Sequence, residues 1–175
     1  MKRICCIYKR IIFSNNEIVY RISSGSPAKK SDIFFEDFVE WSSVKDRGSC
    51  IEYTVNLMME DGTTQTITSF GIRSSYIIDS KYVMLVFFED NDKFIPPNNA
   101  AVYNAAGELL QQLESPKNEQ GWYIHSIWCE KVHLSNSLGV YITNDKDWPA
   151  LCFCKYTGDP KLSYAEETVQ LNLVN

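Results

Sequence analysis

No apolar run in this 175-residue chain approaches the roughly 20 residues that a helix needs to cross a bilayer. Glycine and proline are sparse, at eight and six, and no repeated polar tract or block of like charge occurs. A low-complexity or disordered chain is therefore excluded, and order is expected almost throughout. Histidine occurs only twice, which leaves little general-base chemistry to build on. There is no glycine-rich phosphate loop, dinucleotide fingerprint or serine-nucleophile elbow. The short run Ser23-Ser24-Gly25-Ser26 has neither the lysine nor the helix that a phosphate loop requires. Basic charge is also in deficit, with 17 Lys and Arg against 22 Asp and Glu and a net charge of -5. Such a surface repels a phosphate backbone overall, so neither nucleic acid nor a membrane is expected as a partner. A basic protein is its electrostatic counterpart.

What is present is apolar and aromatic: 45% hydrophobic residues, 13% of the chain Phe, Trp or Tyr. That composition and length predict one globular domain over residues 1–175, with a core large enough to need no staples. The N-terminal MKRICCIYKRIIF starts positive, but Lys9 and Arg10 interrupt its apolar run, so it reads as a first strand rather than a leader. The six cysteines are Cys5, Cys6, Cys50, Cys129, Cys152 and Cys154. Most sit in strand-like apolar segments, where free Cys behaves as a small hydrophobe, and a reducing cytoplasm is the expected setting.

Along the chain, ICCIYKRIIF and EIVYRIS flank the turn residues SNN and predict an opening hairpin. The segment DIFFEDFVEWSSVKDRG predicts a helix. Phe34, Phe38, Trp41 and Val44 share a face, Ser31 or Asp32 can cap its start, and Gly48 follows basic Lys45 and Arg47 at its end. Glu60-Asp61-Gly62 between alternating runs predicts a second hairpin. Tyr82 to Phe88 is continuously apolar and predicts a central strand. In VYNAAGELLQQL, Asn104 opens a turn and Gly107 closes it, predicting a hairpin in place of a helix. Tyr156 stands six residues before Leu162 as Tyr103 stands six before Leu109, which suggests hairpins of one style. Strands are further expected in GWYIHSIWCEKVHL, LGVYITN, ALCFCKY and ETVQLNLV. The expected class is α+β: a mostly antiparallel meander of hairpins with one principal early helix.

Two constellations could carry chemistry. His125, Cys129 and His133, with Cys152 and Cys154 as further soft ligands, have spacing that would suit zinc on a helix. On the strand predicted here, residues four apart stand about 13 Å from one another, too far to share an ion. A cysteine nucleophile would need one of the same two histidines as its base. No catalytic residue, metal or cofactor is therefore expected. The acidic groups Glu36, Asp37 and Glu40 on the predicted helix, and Glu89, Asp90 and Asp92 after the central strand, are the candidate partner-binding residues.

An acidic, cysteine-tolerant, β-rich chain with one early helix and the segment PPNNAAVYNAAGELLQQL, Pro96 to Leu113, resembles the immunity proteins of bacterial contact-dependent growth inhibition and other polymorphic toxin systems. The resemblance implies a cytoplasmic protein that binds and neutralises one cognate toxin domain, a basic nuclease, by blocking its active site or substrate access. It transfers no functional residue. Two alternatives stand beside it: a small metal- or cysteine-dependent enzyme, and an adaptor that binds a peptide at a sheet edge.

Overall fold

The computed structural model describes residues 2–15, 18–25, 49–68, 71–88, 91–117, 119–128, 137–144, 150–156 and 162–170. Its strands are β1 (Ile4–Phe13), β2 (Ile18–Gly25), β3 (Cys50–Met59), β4 (Thr64–Thr68), β5 (Ile72–Ile78) and β6 (Tyr82–Phe87). They continue with β7 (Ala100–Asn104), β8 (Leu109–Leu113), β9 (Tyr123–Trp128), β10 (Ser137–Thr143), β11 (Ala150–Tyr156) and β12 (Leu162–Gln170). Three four-stranded sheets result, ordered β2-β1-β3-β4, β5-β6-β7-β8 and β12-β11-β10-β9.

The expected α+β class is thus corrected to all-β: the sheets are antiparallel and no helix occurs among the described residues. The reason lies in the apolar pattern, which either alternates, as in β1, or runs unbroken, as in β6. Both are strand patterns, the second for a strand covered on two faces. Residues 32–48, which carry the predicted helix, lie outside the described residues. The expected meander of hairpins is present in β5-β6-β7-β8 and β12-β11-β10-β9, whose strands follow chain order, and the first sheet departs from it. β3 pairs with β1 from Ile4↔Met59 to Phe13↔Cys50, and β2 takes the other side of β1. A ten-residue strand with buried side chains along its length is most stable with a neighbour on each side, so β1 is central instead of being the first strand of a meander.

The chain packs as two compact units: Met1–Gly71 with Ser75–Val83 and Tyr103–Glu108, and Ile72–Ser74 with Met84–Val102 and Leu109–Asn175. In the first, Ile4, Cys6, Ile7, Ile11 and Phe13 of β1 are buried, as are Val55, Leu57, Met58 and Met59 of β3 and Ile67 of β4. The ion pair Arg10–Glu52, at 2.9 Å, lies on the paired strands β1 and β3. Asp79 and Ser80 connect Ile78 to Lys81 with φ of 50° and 56°, closed by the Lys81 N–H on the Ile78 carbonyl. Two positive φ values in a two-residue connection are those of a type I′ turn.

In the second unit, Met84, Leu85, Val86 and Phe87 are fully buried, as the sequence leads one to expect of a central strand. Phe94 stacks on Phe87 with centroids 4.4 Å apart. Asn91 holds that loop by accepting from the N–H groups of Lys93 and Phe94. Asn99 is wholly buried and its carboxamide is spent on backbone. It donates to the carbonyls of Phe87 (2.7 Å) and Ile124 (2.9 Å) and accepts from the Ile124 N–H (2.8 Å). One side chain thus satisfies backbone groups of β6 and β9, which would otherwise be buried without partners. Gln111 does the same at Leu162, accepting from its N–H (2.8 Å) and donating to its carbonyl (3.0 Å).

Candidate functional site

Two turns of the same geometry line one cavity in the first unit. At Met59-Glu60-Asp61-Gly62-Thr63 the Met59 N–H donates to the Thr63 carbonyl (2.8 Å) and the Gly62 N–H to the Met59 carbonyl (3.0 Å). At Asn104-Ala105-Ala106-Gly107-Glu108 the corresponding bonds run from Asn104 to Glu108 and from Gly107 to Asn104, both 3.0 Å. Gly62 and Gly107 have φ of 80° and 78°. Each is therefore a three-residue hairpin loop that ends in a left-handed glycine, a position where a side chain is strained. The hairpins expected at both places are present.

Polar side chains fix each loop from within. Asn104 Oδ1 accepts from the Ala106 and Glu108 N–H groups, and its Nδ2 donates to Glu108 Oε2 (2.7 Å). Asp61 Oδ1 accepts from the hydroxyl and the N–H of Thr63. Lys2 Nζ lies 3.0 Å from Asp61 Oδ2 and donates to Thr63 Oγ1 (2.9 Å). The Thr63 hydroxyl and N–H, followed by Lys2, hold the Asp61 carboxyl down to about 2. It is ionised throughout the physiological range, so the Lys2 charge is offset where it stands.

The cavity has a volume of about 380 Å³ and is lined by Lys2, Met59, Thr63, Thr64, Gln65 and the turn residues Asn104, Ala105 and Ala106. Its size is in the range of ligand pockets, and its walls combine an apolar surface with a few polar groups. The 104–107 turn rests on Gln65: a Cβ on Gly107 would stand 3.0 Å from Gln65 Cγ. The Gln65 amide nitrogen is used on the Thr66 carbonyl (3.3 Å), which leaves Gln65 Oε1 and the Thr64 hydroxyl without a partner among the described residues.

β4 runs away from this cavity along the edge of its sheet, with β3 as its hydrogen-bonded neighbour. In an antiparallel pair, hydrogen-bonded and non-hydrogen-bonded positions alternate. Counting from the Met59–Thr63 bond, Leu57↔Gln65 and Val55↔Ile67 are the hydrogen-bonded pairs. The N–H and C=O groups of Thr64, Thr66 and Thr68 therefore face away from β3. No charged residue or proline interrupts TQTIT, although those are the usual devices that protect an edge from pairing.

The acidic residues selected from the sequence do not form a described site. Asp92 is exposed in the connection between β6 and β7, and Glu36, Asp37, Glu40, Glu89 and Asp90 lie outside the described residues. His125 is exposed on β9, with Nδ1 3.2 Å from Ser126 Oγ, while Cys129 and His133 lie outside the described residues. Cys152 and Cys154 are buried on β11. Burial, then the neighbouring Cys152, pushes the Cys154 thiol up to about 12, and burial with Cys5 does the same to Cys6. These thiols are protonated at neutral pH and are poor nucleophiles. Among the described residues, no three or more His, Cys, Asp or Glu are grouped to hold a metal ion.

No protein-family model, curated protein or solved structure matches this chain. The cavity and the β4 edge were not selected from the sequence. Each turn has a local signal, the Asp or Asn ahead of a glycine. Their approach to one another, across some 40 positions of chain, has none.

Proposed function

We propose that this chain is a protein-binding domain that neutralises a basic toxin domain, in the manner of the immunity proteins it resembles. The observation that carries the binding reading is the β4 edge, an uncharged strand whose outward N–H groups at Thr64, Thr66 and Thr68 and outward C=O groups at Thr64 and Thr68 are open to a further strand among the described residues, the Thr66 carbonyl being held by Gln65. Backbone groups in that state supply affinity to an extended partner segment. The net charge of -5, to which Glu36, Asp37, Glu40, Glu89, Asp90 and Asp92 contribute, favours a basic partner and speeds its approach. The protonated, buried thiols of Cys6 and Cys154 weigh against a cysteine enzyme.

The test is co-purification and calorimetry with the product of the adjacent upstream gene, together with survival of cells that express that product. Tight binding and protection are expected. The absence of both binding and protection would sink the immunity reading. The same edge also suits an adaptor that binds a peptide from an unrelated protein, and it is the identity of the captured partner that separates the two.

A further inference from the structure

We infer that the cavity and the β4 edge form one recognition site, which takes an extended segment of a partner protein and seats a tyrosine side chain of that segment in the cavity. The inference rests on the protein-binding reading and names the surface and the chemistry of what it binds.

The edge sets the form of the ligand. Thr64, Thr66 and Thr68 present N–H donors at the strand repeat and Thr64 and Thr68 present carbonyl acceptors, while the Thr66 carbonyl takes the Gln65 amide at 3.3 Å, a contact that an incoming strand has to displace or share as it continues the sheet. The cavity opens beside the first two residues of that strand, since Thr64 and Gln65 belong to both. In strand addition the backbone gives affinity and a pocket for a side chain gives specificity.

The cavity sets the side chain. Lys2, the one charged residue of the lining, is paired with Asp61 at 3.0 Å, which weakens its pull on a phosphate or carboxylate and favours an uncharged guest. Met59, Ala105 and Ala106 offer apolar surface, and about 380 Å³ is more than a valine or threonine side chain fills. The polar groups left over are the acceptor Gln65 Oε1, the Thr64 hydroxyl, the second amide N–H of Gln65 and of Asn104, and the third N–H of Lys2, whose other two go to Asp61 and Thr63. An aromatic ring with a group at its tip that both donates and accepts matches this set. That is a phenol; an indole N–H donates only.

The probe is the blocked peptide acetyl-Lys-Thr-Val-Tyr-Val-Thr-Lys-amide, titrated into the full chain and followed by amide NMR. Shifts are expected at residues 64–68 and 105–107. Replacing the peptide's Tyr by Phe is expected to weaken binding by about 3- to 10-fold, the loss of one hydrogen bond. Thr66→Pro removes an outward N–H without removing a backbone bond to β3 and should abolish binding. Thr66→Val keeps that N–H and should bind, and because both variants lose the Thr66 hydroxyl's bond to Asn56 Oδ1 on β3 (2.8 Å), it controls for that loss. Ala105→Trp fills the cavity and should also abolish it. Melting temperatures establish that each variant is folded; should Ala105→Trp fail to fold, the Phe peptide still tests the cavity. No shifts at millimolar peptide would overturn the inference, as would shifts that survive in folded Thr66→Pro. Equal affinity for the Phe peptide would overturn the tyrosine assignment. Toxin binding that is indifferent to Thr66→Pro and Ala105→Trp would overturn this inference and leave the immunity reading standing. Peptide binding without toxin binding would do the reverse.

Discussion

Asn99 carries more of the second unit than any sequence pattern announces. Its carboxamide satisfies three backbone groups, at Phe87 and Ile124, from a wholly buried position. Asn99→Ala leaves those groups without partners, and urea denaturation should show a loss of about 3–5 kcal/mol. Asn99→Asp should be no better at neutral pH, because a carboxylate cannot donate to the two carbonyls. The buried thiols make a second residue-scale prediction. Burial pushes the Cys6 and Cys154 thiols from the ordinary 9.0 up to about 12 in the folded chain. Between those values the unfolded chain releases protons that the folded chain keeps, so stability is complete below about 9 and falls as pH rises toward 12. Denaturation midpoints measured up this range should decline, and the decline should flatten in a Cys6→Ala, Cys154→Ala variant. Native alkylation should modify exposed Cys50 well before either of them.

At the scale of elements, the two glycine-ended turns are alike in bonding and differ in surroundings. A Cβ at Gly62 would meet nothing within 4 Å, whereas one at Gly107 would stand 3.0 Å from Gln65 Cγ. Gly62→Ala should therefore cost about 1 kcal/mol, the strain of a left-handed alanine alone. Gly107→Ala should cost more, and Gln65→Ala in the same chain should recover the excess. A double-mutant cycle read by thermal melting checks this, and additivity would show that the turn does not rest on Gln65. These hairpins were legible because glycine after Asp or Asn marks a turn locally. The Asp79-Ser80 turn was not, since neither residue is glycine although both have positive φ. The sequence accordingly marks the strand from Tyr82 without marking β5 ahead of it.

At the scale of the whole molecule, the proposed association has a salt dependence that can be measured. A chain with net charge -5 that meets a basic partner should associate more slowly as salt rises, while dissociation changes little. Stopped-flow measurements at several ionic strengths read this directly, and an association rate indifferent to salt would remove the electrostatic part of the proposed function. Among the described residues, no helix is long and apolar enough to cross a membrane. The placement of β1 between β2 and β3 also belongs to this scale. Nothing in ICCIYKRIIF states which later strand will take its second side, because any strand of matching length and apolar face could do so.

Sequence by itself determined the local features: which stretches alternate or run apolar as strands, where Gly62 and Gly107 turn the chain, and the acidic balance of charge. These depend on neighbouring residues or on sums over the chain, and both are available without a fold. Tertiary structure alone decided the all-β class of the described residues, the order of strands in the first sheet, the burial of Asn99 and the meeting of Lys2, Thr64 and Gln65 with Ala105 and Ala106. Each of these is a contact between residues far apart in the chain, and the choice among possible long-range pairings is made by packing and by the need to satisfy every buried backbone group.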